Sequence, residues 1–417
     1  MKASIFLLSF FLIGGVVFGQ TKKGDIVIGS TLTIGSNTFG QERVLNISLP
    51  KGYEESDKAY PVLYLLDGQS WFQYAVSIHK LMTSYGYLPE FIIVGIETED
   101  APRFGFFANT DNLLEFLEHD VVSSIDKAYR TNSDRMLFGW QFAGAFTIET
   151  MIQRADLFSA FFAASPIPLG QKRLDDFSAL LQEDPSLEKT LLFSTSLNEN
   201  GVEADARLLA GILNSNAPNT LNWKYEVMKN ETLPAFGHRT TPLGTLYQGL
   251  RKHYHDYPLP EFNSIKDFNK SGGYDYVESY YKTRANKYGL PVDIPQEGMF
   301  FLVRLGMIED HYPTFEKYMN DFLKTDFLNN INLGWSSQYA AFYLKHNNPN
   351  GAKVIFTKLM ERFPDNPAPT HGMGDAYRME GKVKEARRYY SMAIALAEKL
   401  NDARLAAYKK DLKDLGQ

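Results

Sequence analysis

Apolar and polar residues alternate along two early segments, 26–34 and 43–49, the period of strands with one wet face. Two continuous apolar runs follow, PVLYLL at 61–66 and FIIVGI at 91–96, the pattern of strands buried on both faces. Segment 113–129 places Leu113, Leu114, Phe116, Leu117, Val121 and Ile125 at a helical period. Further strands are predicted over 135–138, 158–163, 190–195 and 221–227, with helices over 147–152 and 246–253. Strands that alternate with helices imply a mostly parallel sheet covered by helices. An antiparallel start feeding such a sheet predicts an α/β-hydrolase sandwich over residues 24–257.

From about residue 290 the strand pattern stops and only helical periodicity remains. At an offset of 34, Gly306, Ala340 and Gly374 share a column, and so do Phe322, Phe356 and Tyr390. Tyr343 pairs with Tyr377 and Ala352 with Ala386. Small residues let two helices approach, and aromatic rings fill the space between neighbouring repeats. The pattern predicts an all-α domain of tetratricopeptide-like (TPR-like) repeats over 290–417, its first repeat degenerate and 400–415 a charged capping helix. Residues 258–289, with Pro258, Pro260 and the Gly272-Gly273 pair, read as a part-helical linker between the two domains.

Composition narrows the setting. The N-terminus has Lys2, an apolar run over 5–18, and small residues at Val17 and Gly19. This is the form of a signal peptide over residues 1–19, so the mature chain is expected in the periplasm or outside the cell, with no membrane span after cleavage. The 417 residues contain no cysteine, which excludes disulfides, thiol catalysis and a lipid anchor on a cysteine. A net charge of -6 without a basic run argues against a nucleic-acid partner. The 30 Phe and 24 Tyr suit an aromatic-rich core or an aromatic-lined cleft.

Candidate chemistry centres on 139–144, Gly-Trp-Gln-Phe-Ala-Gly, at a strand-to-helix turn. The spacing is that of the nucleophile elbow G-x-S-x-G, with Gln141 at the serine position and Ala143 at the last glycine. A primary amide cannot supply an alkoxide. The other parts of serine-hydrolase machinery have counterparts in hydrolase order. The turn at Gly68 and Gln69 follows a buried strand, where an oxyanion-binding N–H belongs beside that of Phe142, although an ordinary turn has the same sequence. Glu199 follows the strand at 190–195, as an orienting acid would; a solvated loop carboxylate fits there too. His238 is expected in a loop between the last strand and the final helix, where the general base belongs, against the alternative of an incidental loop histidine. Ser165, Ser70 and Thr147 lack the exposed elbow position of a nucleophile.

These stretches resemble the esterase D/enterochelin-esterase-like family. The matching pieces are YPVLYLLDG at 60–68, VGI at 94–96, YRTNSDR at 129–135, AASP at 163–166, and His238 with Pro242 and LYQGL at 246–250. The resemblance spans roughly residues 25–257. It implies an α/β-hydrolase that cleaves carboxylic or thio-esters, siderophore esters among them, without a metal or other cofactor. It also maps the family's histidine and acid to His238 and Glu199, and its nucleophile to Gln141. The family's elbow reads G-H-S-x-G-G, so Trp140, Gln141 and Ala143 all depart from it. Losing a serine nucleophile costs on the order of 10⁶ in turnover. The expectation is therefore a catalytically impaired pseudo-hydrolase. It would bind an ester-like small molecule around Gln141, Trp140, Phe142, Gly68 and Gln69, or a protein at the TPR-like domain. The alternative is an active ester hydrolase in which His238 and Glu199 activate water.

Overall fold

The computed structural model describes residues 25–98, 103–197, 199–229, 234–259 and 261–415. The expected signal peptide lies outside the described residues. Two compact units emerge: one comprises the chain up to Ser77 with Phe91–Thr245, the other Ile78–Glu90 with everything from Leu246 onward.

The first unit is built on one sheet of eight strands in the order β1-β2-β4-β3-β5-β6-β7-β8. They are β1 (Ser30–Ser36), β2 (Gln41–Ser48), β3 (Tyr60–Leu66), β4 (Ile92–Ile96), β5 (Thr131–Trp140), β6 (Ala160–Ala164), β7 (Thr190–Ser196) and β8 (Asn222–Met228). β1 pairs antiparallel with β2, and β2 antiparallel with β4; every later pairing is parallel. This is the mostly parallel, α/β-hydrolase-like sheet that the apolar runs imply. The runs FIIVGI and PVLYLL supply the central strands β4 and β3, whose residues are almost all buried. The edge strands are wetter: β1 alternates over its second half, whereas β8 is mostly half-buried without alternation.

Helices α1 (Gly68–Ser84), α2 (Arg103–Ala108), α3 (Thr110–Glu115), α4 (Ser123–Ala128), α5 (Phe142–Gln153), α6 (Gly170–Glu183), α7 (Asn200–Asn216) and α8 (Pro234–His253) accompany the strands. The helical period at 113–129 proves composite: α3 and α4 flank a π-helical turn, Phe116–Val122. That turn aims the buried Asp120 at β1, where its carboxylate accepts from Ser36 Oγ (2.6 Å) and from the backbone of Asn37 and Thr38. Gly68 opens α1 pressed against β4; a Cβ there would sit 2.4 Å from the carbonyl carbon of Gly95.

The second unit is helical. The stretch read as a linker folds as α9 (Ile265–Lys270) and α10 (Gly273–Tyr288), with Phe268, Val277 and Tyr281 inside the unit's core. α10 is tied to the preceding chain by Arg284 Nε donating to the carbonyl of Tyr257 (2.6 Å) and Tyr288 Oη to Asp256 (2.6 Å). Three antiparallel pairs follow: α11 (Gln296–Ile308) with α12 (Tyr312–Phe322), α13 (Leu333–Lys345) with α14 (Pro349–Arg362), and α15 (Pro367–Met379) with α16 (Val383–Leu400). α17 (Leu405–Asp414) packs on α16.

The 34-residue offset holds between the second and third pairs, from Leu333 to Pro367. Between the first and second it is 37, from Gln296 to Leu333, because a 3-10 turn at Phe327–Asn330 lengthens the connection. Gly306 is therefore displaced from the column of Ala340 and Gly374.

Replacing Gly68 by Ala should cost roughly 1–3 kcal/mol, since backbone of β4 fills the space the methyl needs. Gly211→Ala, at an exposed α7 position with nothing within 4 Å, should instead stabilise by up to ~1 kcal/mol. Urea denaturation of the two variants against the parent checks both signs.

Candidate active site

The candidate residues gather at the carboxyl ends of the parallel strands, where loops of an open α/β sheet place ligand-facing groups. β5 ends at Trp140, and the chain turns sharply through Gln141 into α5. Gln141 has φ 57° and ψ -117°. A non-glycine residue there costs of order 1–3 kcal/mol, so surrounding structure must impose it. Gln141 N donates to Ala164 O (2.9 Å), while its carbonyl accepts from Ala145 N (2.8 Å) and Ile167 N (3.3 Å). The glycines on either side leave no alternative. A Cβ at Gly139 would fall 2.2 Å from Ala143 O, and one at Gly144 2.8 Å from Ala164 O. The sharp strand-to-helix turn that carries the Gln141 amide is thus set by backbone contacts on both sides.

His238 lies in the first turns of α8 rather than in a loop, because helix begins at Pro234, earlier than periodicity suggested. Proline suits the start of a helix, and Pro242 further along removes the N–H that would have bonded the His238 carbonyl. Thr241 Oγ1 donates to Gly237 O (2.7 Å) in the same turn. Glu199 follows β7 and is buried. Its carboxylate accepts from His238 Nδ1, from Ser196 N (3.0 Å) and from Ser165 Oγ (2.9 Å). Burial pushes the Glu199 carboxyl upward, but those three donors outweigh it and hold the group below the usual carboxylate range.

The structure adds a residue that sequence reading missed. Arg103, in α2 beyond the end of β4, donates from Nη1 to Gln141 Oε1 (2.8 Å) and from Nη2 to the carbonyl of Trp140 (2.7 Å). Its Nε and Nη2 both reach Asp67 Oδ2, at 3.0 and 2.7 Å. The guanidinium stacks over the rings of Trp140, Phe107 and Phe142. Only its position after a buried strand, at the same sheet end as Asp67 and the elbow, could have flagged it.

Arg103 fixes the orientation of the Gln141 amide, since a guanidinium only donates and so must face Oε1. The amide nitrogen then faces His238 Nε2, and it too can only donate. Nε2 is thus the acceptor and the ring proton sits on Nδ1, toward Glu199. Asp67, Arg103, Gln141, His238, Glu199 and Ser165 form one continuous chain of hydrogen bonds.

The remaining expected residues are placed as follows. Phe142 begins α5 directly after the elbow. Gln69 is pinned by Thr98, donating from Nε2 to Thr98 Oγ1 (2.9 Å) and accepting at Oε1 from Thr98 N (3.1 Å). Gly68 serves the contact with β4 described above. Trp140 packs its ring against His238 and Trp71, with centroids at 5.0 and 5.4 Å. No substitute nucleophile stands beside His238 among the hydroxyls weighed. Ser165 is fully buried and bonded to Glu199, Thr147 is fully buried and bonded to Ala143 O, and Ser70 is exposed on α1.

Residues 36–202 match the family model described as "Putative esterase". The chain is 24% identical over 219 residues to ferri-bacillibactin esterase BesA of Bacillus subtilis (strain 168), a match covering 44% of this chain and 75% of that protein. In fold it is similar to an IroE-like serine hydrolase from Shewanella oneidensis, with a TM-score of 0.53 and 21% identity, over 70% of this chain and 98% of that one. It is also similar to an uncharacterised protein from Capnocytophaga ochracea DSM 7271, with a TM-score of 0.55 and 16% identity, over 91% of this chain and 99% of the other. In the first unit Gln141, His238 and Glu199 stand together in one hydrogen-bonded group. Among the described residues no cluster of side chains could hold a metal ion, and no helix is long and apolar enough to cross a membrane.

The depressed Glu199 carboxyl ties stability to acid. A carboxyl whose folded pKa is lowered stabilises above its unfolded pKa, and that contribution disappears as pH falls through the folded value. Glu199→Gln should therefore lower the denaturation midpoint most at neutral pH, with the gap to the parent narrowing between about pH 5 and pH 3. Thermal melts across that range measure it.

Proposed function

We propose that this chain is an exported pseudo-hydrolase: an esterase-family unit that binds an ester-like ligand without turning it over, joined to a helical unit that engages a protein. The observation that carries the reading is the Gln141 amide, held by Arg103 on one side and occupying His238 Nε2 on the other. A catalytic serine would present a hydroxyl to that imidazole; here the base is capped by a group with no nucleophilic electron pair to offer. An oxyanion site and ligand binding alone leave a residual ~10³ to 10⁴ over water in serine hydrolases that lose their triad. The ligand class put forward is a siderophore-type ester, on the strength of the similarity to a ferri-bacillibactin esterase.

A second reading draws on the intact pairing of Glu199 with His238: the two activate water directly and the chain hydrolyses esters without a covalent intermediate. For the helical unit, a TPR-like role is supported by the three helix pairs, by the buried Ala340, and by Gly374, whose missing side chain admits the ring of Tyr390. An exported location rests on the N-terminal residues alone.

A panel of aryl, acyl and catecholate esters should give no turnover with the parent chain above its His238→Ala variant. Gln141→Ser should raise hydrolysis at least 10²-fold, dependent on His238, because the elbow geometry is already in place. Turnover by the parent chain that His238→Ala abolishes would favour the second reading instead.

A further inference from the structure

A second binding site lies in the helical unit, unrelated to the elbow. A pocket of about 360 Å³ is bounded by one face of α11, by Leu259 and by Glu261, Phe262 and Asn263, with Tyr87 on its side. That volume falls within the range of small-molecule sites. Phe301, Arg304, Leu305 and Ile308 recur at helical spacing and line it together, so a single stripe of α11 forms the floor. Phe301 and Ile308 remain 42% and 61% exposed, large apolar side chains that the unit's own core leaves in water. Tyr87 Oη donates to Glu261 Oε1 (3.1 Å), which fixes one wall.

The informative group is Arg304. It is half-buried among these apolar walls, yet among the described residues it has neither a hydrogen bond nor an ion pair. A guanidinium with no partner of its own, set beside apolar walls, is free to pair with an incoming anion. The two acidic residues at the pocket, Glu261 and Glu309, are exposed and engage no cation there. They repel any anion, and a dianion about twice as strongly as a monoanion. One cation inside, apolar walls around it and carboxylates outside together select a singly charged anion on an apolar body.

We propose that this pocket binds a monocarboxylic acid with an aliphatic or aryl body, its carboxylate paired with Arg304 and its body against Phe301, Leu305 and Ile308. A planar carboxylate matches the guanidinium fork bidentately, whereas a phosphate dianion would face the two glutamates.

Isothermal titration of the full-length protein with 4-phenylbutyrate tests it, with 4-phenylbutyramide and phenyl phosphate as matched probes. Saturable one-site binding is expected for the acid, with the amide and the phosphate each weaker by about tenfold or more. Arg304→Gln should weaken the acid to the level of the amide, Arg304→Lys should keep part of the affinity, and Phe301→Ala should weaken acid and amide alike. Thermal melts that match the parent exclude misfolding as the cause. The proposal is overturned if the acid does not bind, if acid and amide bind equally, or if binding survives Arg304→Gln. Loss of binding in His238→Ala with Arg304→Gln unaffected would place the acid at the elbow, and would equally overturn it.

Discussion

The Gln141 amide, with Arg103 on its oxygen and His238 on its nitrogen, is the contact on which the candidate site depends. It closes the polar groups from Asp67 to Ser165 into one internal circuit. Each polar group in the chain from Asp67 to Ser165 already has its complement. The strained backbone at 141 is held from outside, by β6 through Ala164 and by the glycines at 139 and 144, so the amide is delivered to its place as firmly as a hydroxyl would be. Architecture and reactivity are separable here because different residues carry them.

Much of the fold could be read from patterning alone. Runs such as PVLYLL and FIIVGI are legible because strands buried on both faces have no reason to alternate, and β3 and β4 are such strands. Boundaries were harder. Residues 113–129 show one helical period, but a π-helical turn interrupts the helix, since a small change in winding hardly disturbs the apolar spacing. The part-helical reading of 258–289 left the packing unread: paired glycines and prolines mark turns at the ends of α9 and α10 without saying that Phe268 and Tyr281 are buried in the unit's core. The repeat offset likewise fixed the second and third helix pairs, while the 3-10 turn before α13 shifted the first out of register.

At the site, motif spacing located Gln141, Glu199 and His238 because chain order in this fold is rigid. It could not supply Arg103, whose role exists only because β4 and β5 end side by side around β3 and bring their following segments to one place. Nor could it tell that Gly68 is needed for close contact with Gly95. Local sequence reports what a turn permits; which neighbour fills the space is a property of the sheet.

The closed circuit also sets the thermodynamic character of anything that binds beside it. A ligand's polar atoms would meet groups already satisfied, and exchanging one hydrogen bond for another yields little enthalpy. The attraction left to it is the half-buried aromatic surface of Trp140 and Phe142. Association with this site is therefore dominated by apolar dehydration, and its signature is a negative heat-capacity change in place of a large heat of binding.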